Sequence, residues 1–130
     1  MQGKNSARIC VRPAPGKGRG VFAMEAFLPG ELIESAPVLV FDDGEQALSI
    51  DRTPLGSYYF RWKDDENAVL FGYGSLYNHS YEPNAKYVRN YEQETMDFVA
   101  LREITPGEEI TINYNGRPDC REPLWFPCAG

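Results

Sequence analysis

Hydrophobic residues recur in short stretches along most of the chain, some alternating with polar residues and others, such as 38–41 and 68–71, uninterrupted, as is typical of β-strands. Branched and aromatic residues dominate these stretches, and clusters of Gly, Pro, Asp and Asn separate them. The predicted strands are 7–11, 18–23 after a loop, 32–34, 38–41, 58–62, 68–71, 85–91, 96–101 and 110–113. We therefore expect a mainly β domain built from several small sheets.

Helical character is limited to residues 45–50, where Pro54 and Gly56 prevent the helix from continuing. Polar segments at 64–67 and 92–94 join neighbouring strands and predict two hairpins. The expected helix content is low.

The length of 130 residues and the 42% hydrophobic content suit one domain with one core. No apolar run approaches the roughly 20 residues that cross a bilayer, and no apolar stretch near the N-terminus resembles a signal peptide. We expect a cytoplasmic protein that does not bind membranes.

The formal charge is −6, with acidic clusters at 42–45, 64–66 and 92–97. This charge disfavours binding to nucleic acid and suits a basic partner, although the same carboxylates could simply solvate surface loops. The three cysteines, Cys10, Cys120 and Cys128, lack the spacing of a zinc site, so we expect no metal.

Two polar segments could contact a ligand. Lys17-Gly18-Arg19-Gly20 combines two glycines, which allow close approach to the backbone, with two cations, but it is also compatible with a simple turn. Residues 77–84, Tyr-Asn-His-Ser-Tyr-Glu-Pro-Asn, contain the only histidine of the chain. Such a loop can hold a polar ligand, and its residues are also common turn formers.

A third segment, 104–114, begins with a Pro-Gly turn and delivers a short strand that ends at Tyr114. Taken alone, a tyrosine at the end of a strand indicates a core or interface residue as readily as a functional one.

Together and in this order, the three segments resemble the SET-domain family of protein lysine methyltransferases. The family pattern is a GxG segment, an Asn-His-Ser loop followed by Pro-Asn, and then Gly-Glu-Glu-apolar-Thr-x-x-Tyr, which residues 18–20, 78–84 and 107–114 match. The resemblance covers roughly residues 7–126, so we expect residues 1–130 to form a single compact SET domain without zinc segments. It implies small β-sheets, little helix and a knot-like threading of the C-terminal segment.

The resemblance also implies a site for S-adenosylmethionine. The backbone of Gly18–Gly20 would line the cofactor, Asn78 would receive its ammonium, and the backbone of Asn78 and His79 would meet the adenine. Lys17 or Arg19 would pair with the carboxylate of the cofactor.

For the substrate lysine, the resemblance implies that Tyr114 is the catalytic tyrosine and that Tyr58 lines the lysine channel. Ile112 stands at a position that the family links to the degree of methylation, which stays open. The family usually has Cys at the position of Tyr81.

We expect the C-terminal segment, residues 117–130, to replace the missing zinc segment as an apolar lid. In it, Leu124, Trp125 and Phe126 would cover the adenine and the lysine, with Phe126 at the cofactor and Trp125 at the channel. Plain core packing is the alternative for these three residues.

The implied function is methyl transfer to a lysine of a protein, with a basic histone-like or ribosomal protein as the expected partner. We expect Trp62, Tyr87 and Tyr91 to be exposed, which would be compatible with a homodimer. The alternatives are an inactive SET-like module that binds a peptide or protein, and an unrelated small β-domain.

Overall fold

Two β-sheets form the framework of the computed structural model, which describes residues 8–124. The strands are β1 (Ile9–Ala14), β2 (Gly18–Ala23), β3 (Leu32–Asp42), β4 (Phe60–Arg61), β5 (Glu66–Leu70), β6 (Asn78–His79), β7 (Ala85–Asn90), β8 (Thr95–Ala100) and β9 (Glu109–Ile112). Helix α1 (Glu45–Asp51) and the 3-10 helices Pro54–Ser57 and Gly74–Leu76 complete the elements of this part of the chain. The predicted mainly β fold with little helix is confirmed; the knot-like threading stays a prediction.

The four-stranded sheet has the order β1-β2-β9-β6, with β6 parallel to β9 and the other pairs antiparallel. Residues 78–79 form β6, a strand that the sequence prediction had placed in a loop. Through this sheet, three motifs that are far apart in sequence lie on neighbouring strands. The sheet therefore positions the candidate site.

The five-stranded sheet has the order β4-β5-β3-β8-β7. Residues 32–37 of β3 pair with β8, and residues 38–42 pair with β5. Pro37 lies where β3 changes partner, and its missing N–H does not interrupt the strand there. The prediction of two strands separated by Pro37 was wrong.

Most other strand bounds differ from the prediction by one or a few residues, and the differences at β1 and β4 have a clear physical reason. β1 continues through Pro13 to Ala14, because within residues 8–124 β1 is an edge strand whose pairing partner is β2. β4 begins only at Phe60, because the N–H of Tyr58 donates to the carbonyl of Leu55 and closes the preceding 3-10 helix.

One continuous apolar cluster joins the two sheets. Fully buried members include Val21, Ala36, Met96, Phe98, Ile110 and Ile112. Because both sheets contribute to this core, the position of one sheet constrains the other. The expected exposure of Trp62 and Tyr87 was wrong, because both are buried in this core, and of the three aromatic residues expected at the surface only Tyr91 is exposed. Within residues 8–124, no helix is long and apolar enough to cross a membrane.

Candidate functional site

A polar cluster lies where β2, β6 and β9 meet. The Glu109 carboxylate accepts a hydrogen bond from Asn78 Nδ2 at 2.8 Å through Oε2, and from Lys17 Nζ at 3.2 Å through Oε1. Asn78 Nδ2 also donates to the carbonyl of Arg19 at 2.9 Å. Because both amide protons have acceptors, the carbonyl oxygen of Asn78 is the part of this side chain that can accept a hydrogen bond from a ligand.

The two glycines of β2 are required for different physical reasons. A Cβ at Gly20 would lie 2.8 Å from Asn78 Nδ2 and would collide with the carboxylate of Glu109. Gly18 has a φ of +77°, in the left-handed region that favours glycine, and a Cβ there would meet open space. Gly20 therefore maintains the polar cluster, whereas Gly18 maintains the backbone turn.

His79 connects the cluster to Tyr114. Its Nδ1 accepts a hydrogen bond from the backbone N–H of Tyr114 at 3.0 Å, and its Nε2 is buried without a partner among the described residues. Burial, helped by the nearby charge of Lys17, lowers the pKa of His79 below its ordinary value of 6.5. A neutral imidazole is the form that can accept this hydrogen bond.

Tyr114 is held at both its phenol and its backbone. The hydroxyl donates to the carbonyl of Tyr77 at 2.7 Å, and the hydroxyl of Tyr87 donates to the carbonyl of Tyr114 at 3.2 Å. These bonds fix the direction of the phenol relative to β6.

A cavity of about 830 Å³ adjoins Tyr114. Its aromatic lining consists of Tyr58, Tyr59, Phe60, Tyr77, Tyr87 and Tyr114. Tyr58 is about half exposed and its carbonyl accepts a hydrogen bond from the Ser75 hydroxyl at 3.0 Å. Aromatic rings in the lining, next to a fixed phenol, suit the aliphatic stem of a long side chain.

The predicted site residues divide into two groups. Residues 17–20 contact Asn78 through the carbonyl of Arg19, although β9 lies between β2 and β6 in the sheet. Tyr58 and Tyr114 share the cavity. Ile112 pairs with His79, is fully buried in the core, and does not line the cavity. Its assignment to the substrate channel stays a prediction.

The predicted lid falls partly outside the described residues. Leu124 lines the cavity. Trp125 and Phe126 lie outside residues 8–124, so their assigned roles also stay predictions.

The sequence reasoning missed Glu109 and Glu34. Glu34 accepts a hydrogen bond from the hydroxyl of Tyr77 at 2.8 Å and one from the backbone N–H of Tyr73 at 2.9 Å. The ring of Tyr77 stacks on Phe98 with centroids 4.3 Å apart. Glu34 thus anchors Tyr77, whose carbonyl holds the phenol of Tyr114. The sequence feature that could have identified Glu34 is its charge at the end of the apolar predicted strand 32–34.

Comparisons with known proteins agree with this arrangement. The SET domain family matches residues 18–115. A Schizosaccharomyces pombe protein named histone-lysine N-methyltransferase, H3 lysine-37 specific, is 33% identical over 116 residues, which are 89% of this chain and 75% of the relative. The Drosophila pseudoobscura pseudoobscura histone-lysine N-methyltransferase Set8 is 28% identical over 127 residues, which cover 88% of this chain and 18% of that protein.

A crystal structure of a Plasmodium falciparum protein, described as a candidate histone methyltransferase, is similar in fold. The TM-score is 0.66 at 28% sequence identity, and the match covers 88% of this chain and 95% of that one.

Proposed function

The chain belongs to the SET-domain family of protein lysine methyltransferases, and we propose that it transfers a methyl group from S-adenosylmethionine to a lysine side chain of another protein. The observation that carries this proposal is the bond between Tyr114 N–H and His79 Nδ1. This bond joins the polar cluster of β2, β6 and β9 to the aromatic cavity, as a reaction between a donor and an acceptor lysine requires.

The residues present fit the methyl donor. Asn78 offers a carbonyl oxygen to an ammonium, and Lys17 offers a cation to a carboxylate. Among the strands that the structure describes, β6 is at the edge of its sheet, so one side of its backbone is available to hydrogen-bond to an adenine. When bound, S-adenosylmethionine supplies a methyl group that is activated by its sulfonium.

The aromatic cavity would prepare the lysine for attack. A lysine amine has an ordinary pKa of about 10.4 and is protonated near neutral pH. Entry into a cavity lined by Tyr58, Tyr87 and Tyr114 removes water and disfavours the ammonium form. The oriented phenol of Tyr114 would then position the neutral amine, so that catalysis comes mainly from alignment.

We infer a lysine-bearing protein as the substrate. The relatives are named as histone-lysine methyltransferases, and the formal charge of −6 favours encounter with a basic protein. A histone or a histone-like protein is therefore the first substrate to test.

Replacing Tyr114 with Phe tests the function. Tyr114→Phe removes the hydroxyl that donates to Tyr77, so we expect methyl transfer from labelled S-adenosylmethionine to histones to fall by about tenfold or more. The affinity for the donor, measured by calorimetry, should change little.

Tyr91→Phe is the matched control, because Tyr91 packs against Trp62 outside the cavity lining. Equal loss of transfer and of donor binding in Tyr114→Phe would make Tyr114 a structural residue. A wild-type protein that binds the donor but labels no protein in histone or lysate mixtures would instead be a binding module.

A further inference from the structure

Cationic side chains outnumber anionic ones in the lining of the cavity, although the chain as a whole is acidic. The charged lining residues are Asp51, Arg61 and Arg89. One oxygen of Asp51 accepts the hydroxyl of Tyr59 at 2.9 Å. The charged residues of the lining therefore have an excess of one cation, whereas the chain as a whole has a formal charge of −6.

The guanidinium of Arg61 already has partners. It lies 3.2 Å from the carboxylate of Asp43, and it donates to Asn67 Oδ1 at 2.9 Å and to the carbonyl of Asp64 at 3.2 Å. Arg61 therefore stabilises the β4–β5 turn and has little capacity for a further anion.

Arg89 is held in place but keeps donors available. Its Nε donates to the carbonyl of Arg61 at 2.8 Å, and its guanidinium lies 5.7 Å from the ring centroid of Tyr87. Tyr87 in turn donates to the carbonyl of Tyr114, which places Arg89 near the segment that follows β9. Among the described residues, no acceptor meets the two terminal nitrogens of Arg89.

We propose that the guanidinium of Arg89 binds a carboxylate of the substrate segment, so that this protein prefers an acidic residue close to the target lysine. A guanidinium fixed through its Nε presents its terminal N–H groups in the planar fork that matches a carboxylate. Loss of side-chain entropy on binding is small, because the side chain is already immobilised by Arg61 and Tyr87. The inference rests on the proposed function.

The size of the cavity limits where the acidic residue lies. A volume of 830 Å³ corresponds to a sphere about 12 Å across, which an extended segment spans in about three to four residues. The carboxylate should therefore lie within about four residues of the lysine. An acidic residue at that distance is compatible with a substrate protein that is basic overall.

Matched peptides test the inference directly. Each peptide contains one lysine in a background of Gly, Ala and Ser, with one Glu placed at each position up to about four residues on either side. For each of these peptides, the control is an otherwise identical peptide in which Gln replaces Glu. With the wild-type protein, we expect kcat/KM to favour Glu over Gln by about tenfold at one position or at two adjacent ones.

Variants then assign the preference to Arg89. In Arg89→Gln the ratio of Glu to Gln should fall towards one, and in Arg89→Lys, which keeps the charge without the planar fork, it should be intermediate. Arg12→Gln is the control, because the guanidinium of Arg12 lies over Phe22 in the four-stranded sheet, whereas Arg89 belongs to the five-stranded sheet. Binding of S-adenosylmethionine by calorimetry shows that each variant is folded.

The outcomes separate this inference from the proposed function. A wild-type ratio near one at every position, in peptides that are methylated, overturns the role of Arg89 and leaves methyl transfer intact. A preference for Glu that survives in Arg89→Gln also overturns it. If neither peptides nor proteins are methylated, the proposed function fails first, and the role of Arg89 fails with it.

Discussion

At the residue scale, Glu109 holds two groups that we assign to the methyl donor, Asn78 and Lys17, with one carboxylate. Replacing Glu109 with Gln keeps the size of the side chain but removes the charge that pairs with Lys17. Hydrogen bonds to charged groups contribute about 1.5–3 kcal/mol, so we expect the Kd for S-adenosylmethionine to rise by about tenfold. Isothermal titration calorimetry measures this change.

Glu108 provides a neighbouring control, because it bonds instead to Arg102 at 2.6 Å and to the N–H of Thr105 at 3.0 Å. Methylthioadenosine, which lacks the amino-acid end of the donor, provides a second control. Glu109→Gln should leave its affinity unchanged. A similar loss for both ligands, or a similar loss in Glu108→Gln, would mean that Glu109 does not act on the amino-acid end.

Single residues were predictable where a motif identifies them and unpredictable where a partner far along the chain decides their role. Asn78, His79 and Tyr114 were selected from their motifs, and the structure brings them together. Glu109 lies in the same motif as Tyr114, but only the pairing of β6 with β9 shows that its carboxylate contacts Asn78. The contact of Glu34 with Tyr77 spans 43 residues, so the charge of Glu34 in an apolar strand does not by itself identify its partner.

At the element scale, β2 contains two glycines, Gly18 and Gly20, and substitution of each should have a different consequence. Gly20→Ala inserts a Cβ between Asn78 and Glu109, so we expect donor affinity to be lost while the protein stays folded. Gly18→Ala forces a positive φ on a residue with a Cβ, which costs about 1 kcal/mol of folding stability. Because space is open at Gly18, donor affinity should be largely retained.

Urea denaturation and calorimetric titration of the same two variants distinguish these effects. The interpretation predicts a crossed pattern, in which Gly18→Ala changes mainly the unfolding midpoint and Gly20→Ala mainly the Kd. If the two variants lose both properties in parallel, the glycines have no separate roles.

Strand periodicity and turn residues predicted most elements of the fold and two hairpin pairs, but not the remaining strand pairs. The two-residue alternation identified the β7–β8 hairpin and the strand before Tyr114. It divided β3 at Pro37, because the change of partner from β8 to β5 is a property of the assembled sheet. β6 has only two residues, which is too short for any periodic signal.

At the scale of the whole molecule, a contact between Glu34 and Tyr77 connects the two sheets. Glu34 belongs to β3 of the five-stranded sheet, and Tyr77 immediately precedes β6 of the four-stranded sheet. Because the carbonyl of Tyr77 holds the phenol of Tyr114, the packing of the sheets is coupled to the geometry of the site. Folding stability and site geometry should therefore respond to the same carboxyl group.

Burial raises the pKa of Glu34 above its ordinary value of 4.5, and this shift predicts a direction for the pH dependence of stability. Below pH 4.5 the carboxyl is protonated in both the folded and the unfolded protein, and its contribution to stability is fully present. Between the pKa of the unfolded chain and the higher pKa of the folded protein, the unfolded chain has released a proton that the folded protein still holds. The contribution to stability therefore decreases as the pH rises, and it is lost once the pH passes the folded-state pKa.

Glu34→Gln removes this titration while its amide can still accept from Tyr73 and donate to Tyr77. The free energy of unfolding of the wild type, minus that of Glu34→Gln, should therefore decrease as the pH rises from 4 to 7, measured by urea denaturation. Glu31 gives a control of opposite sign: its hydrogen bond from Arg8 lowers the pKa of its carboxyl, so the corresponding difference for Glu31→Gln should increase with pH. A flat difference for Glu34→Gln beside a rising one for Glu31→Gln would show that Glu34 is ionised at the same pH in both states, and that its contact with Tyr77 does not couple protonation to the packing of the sheets.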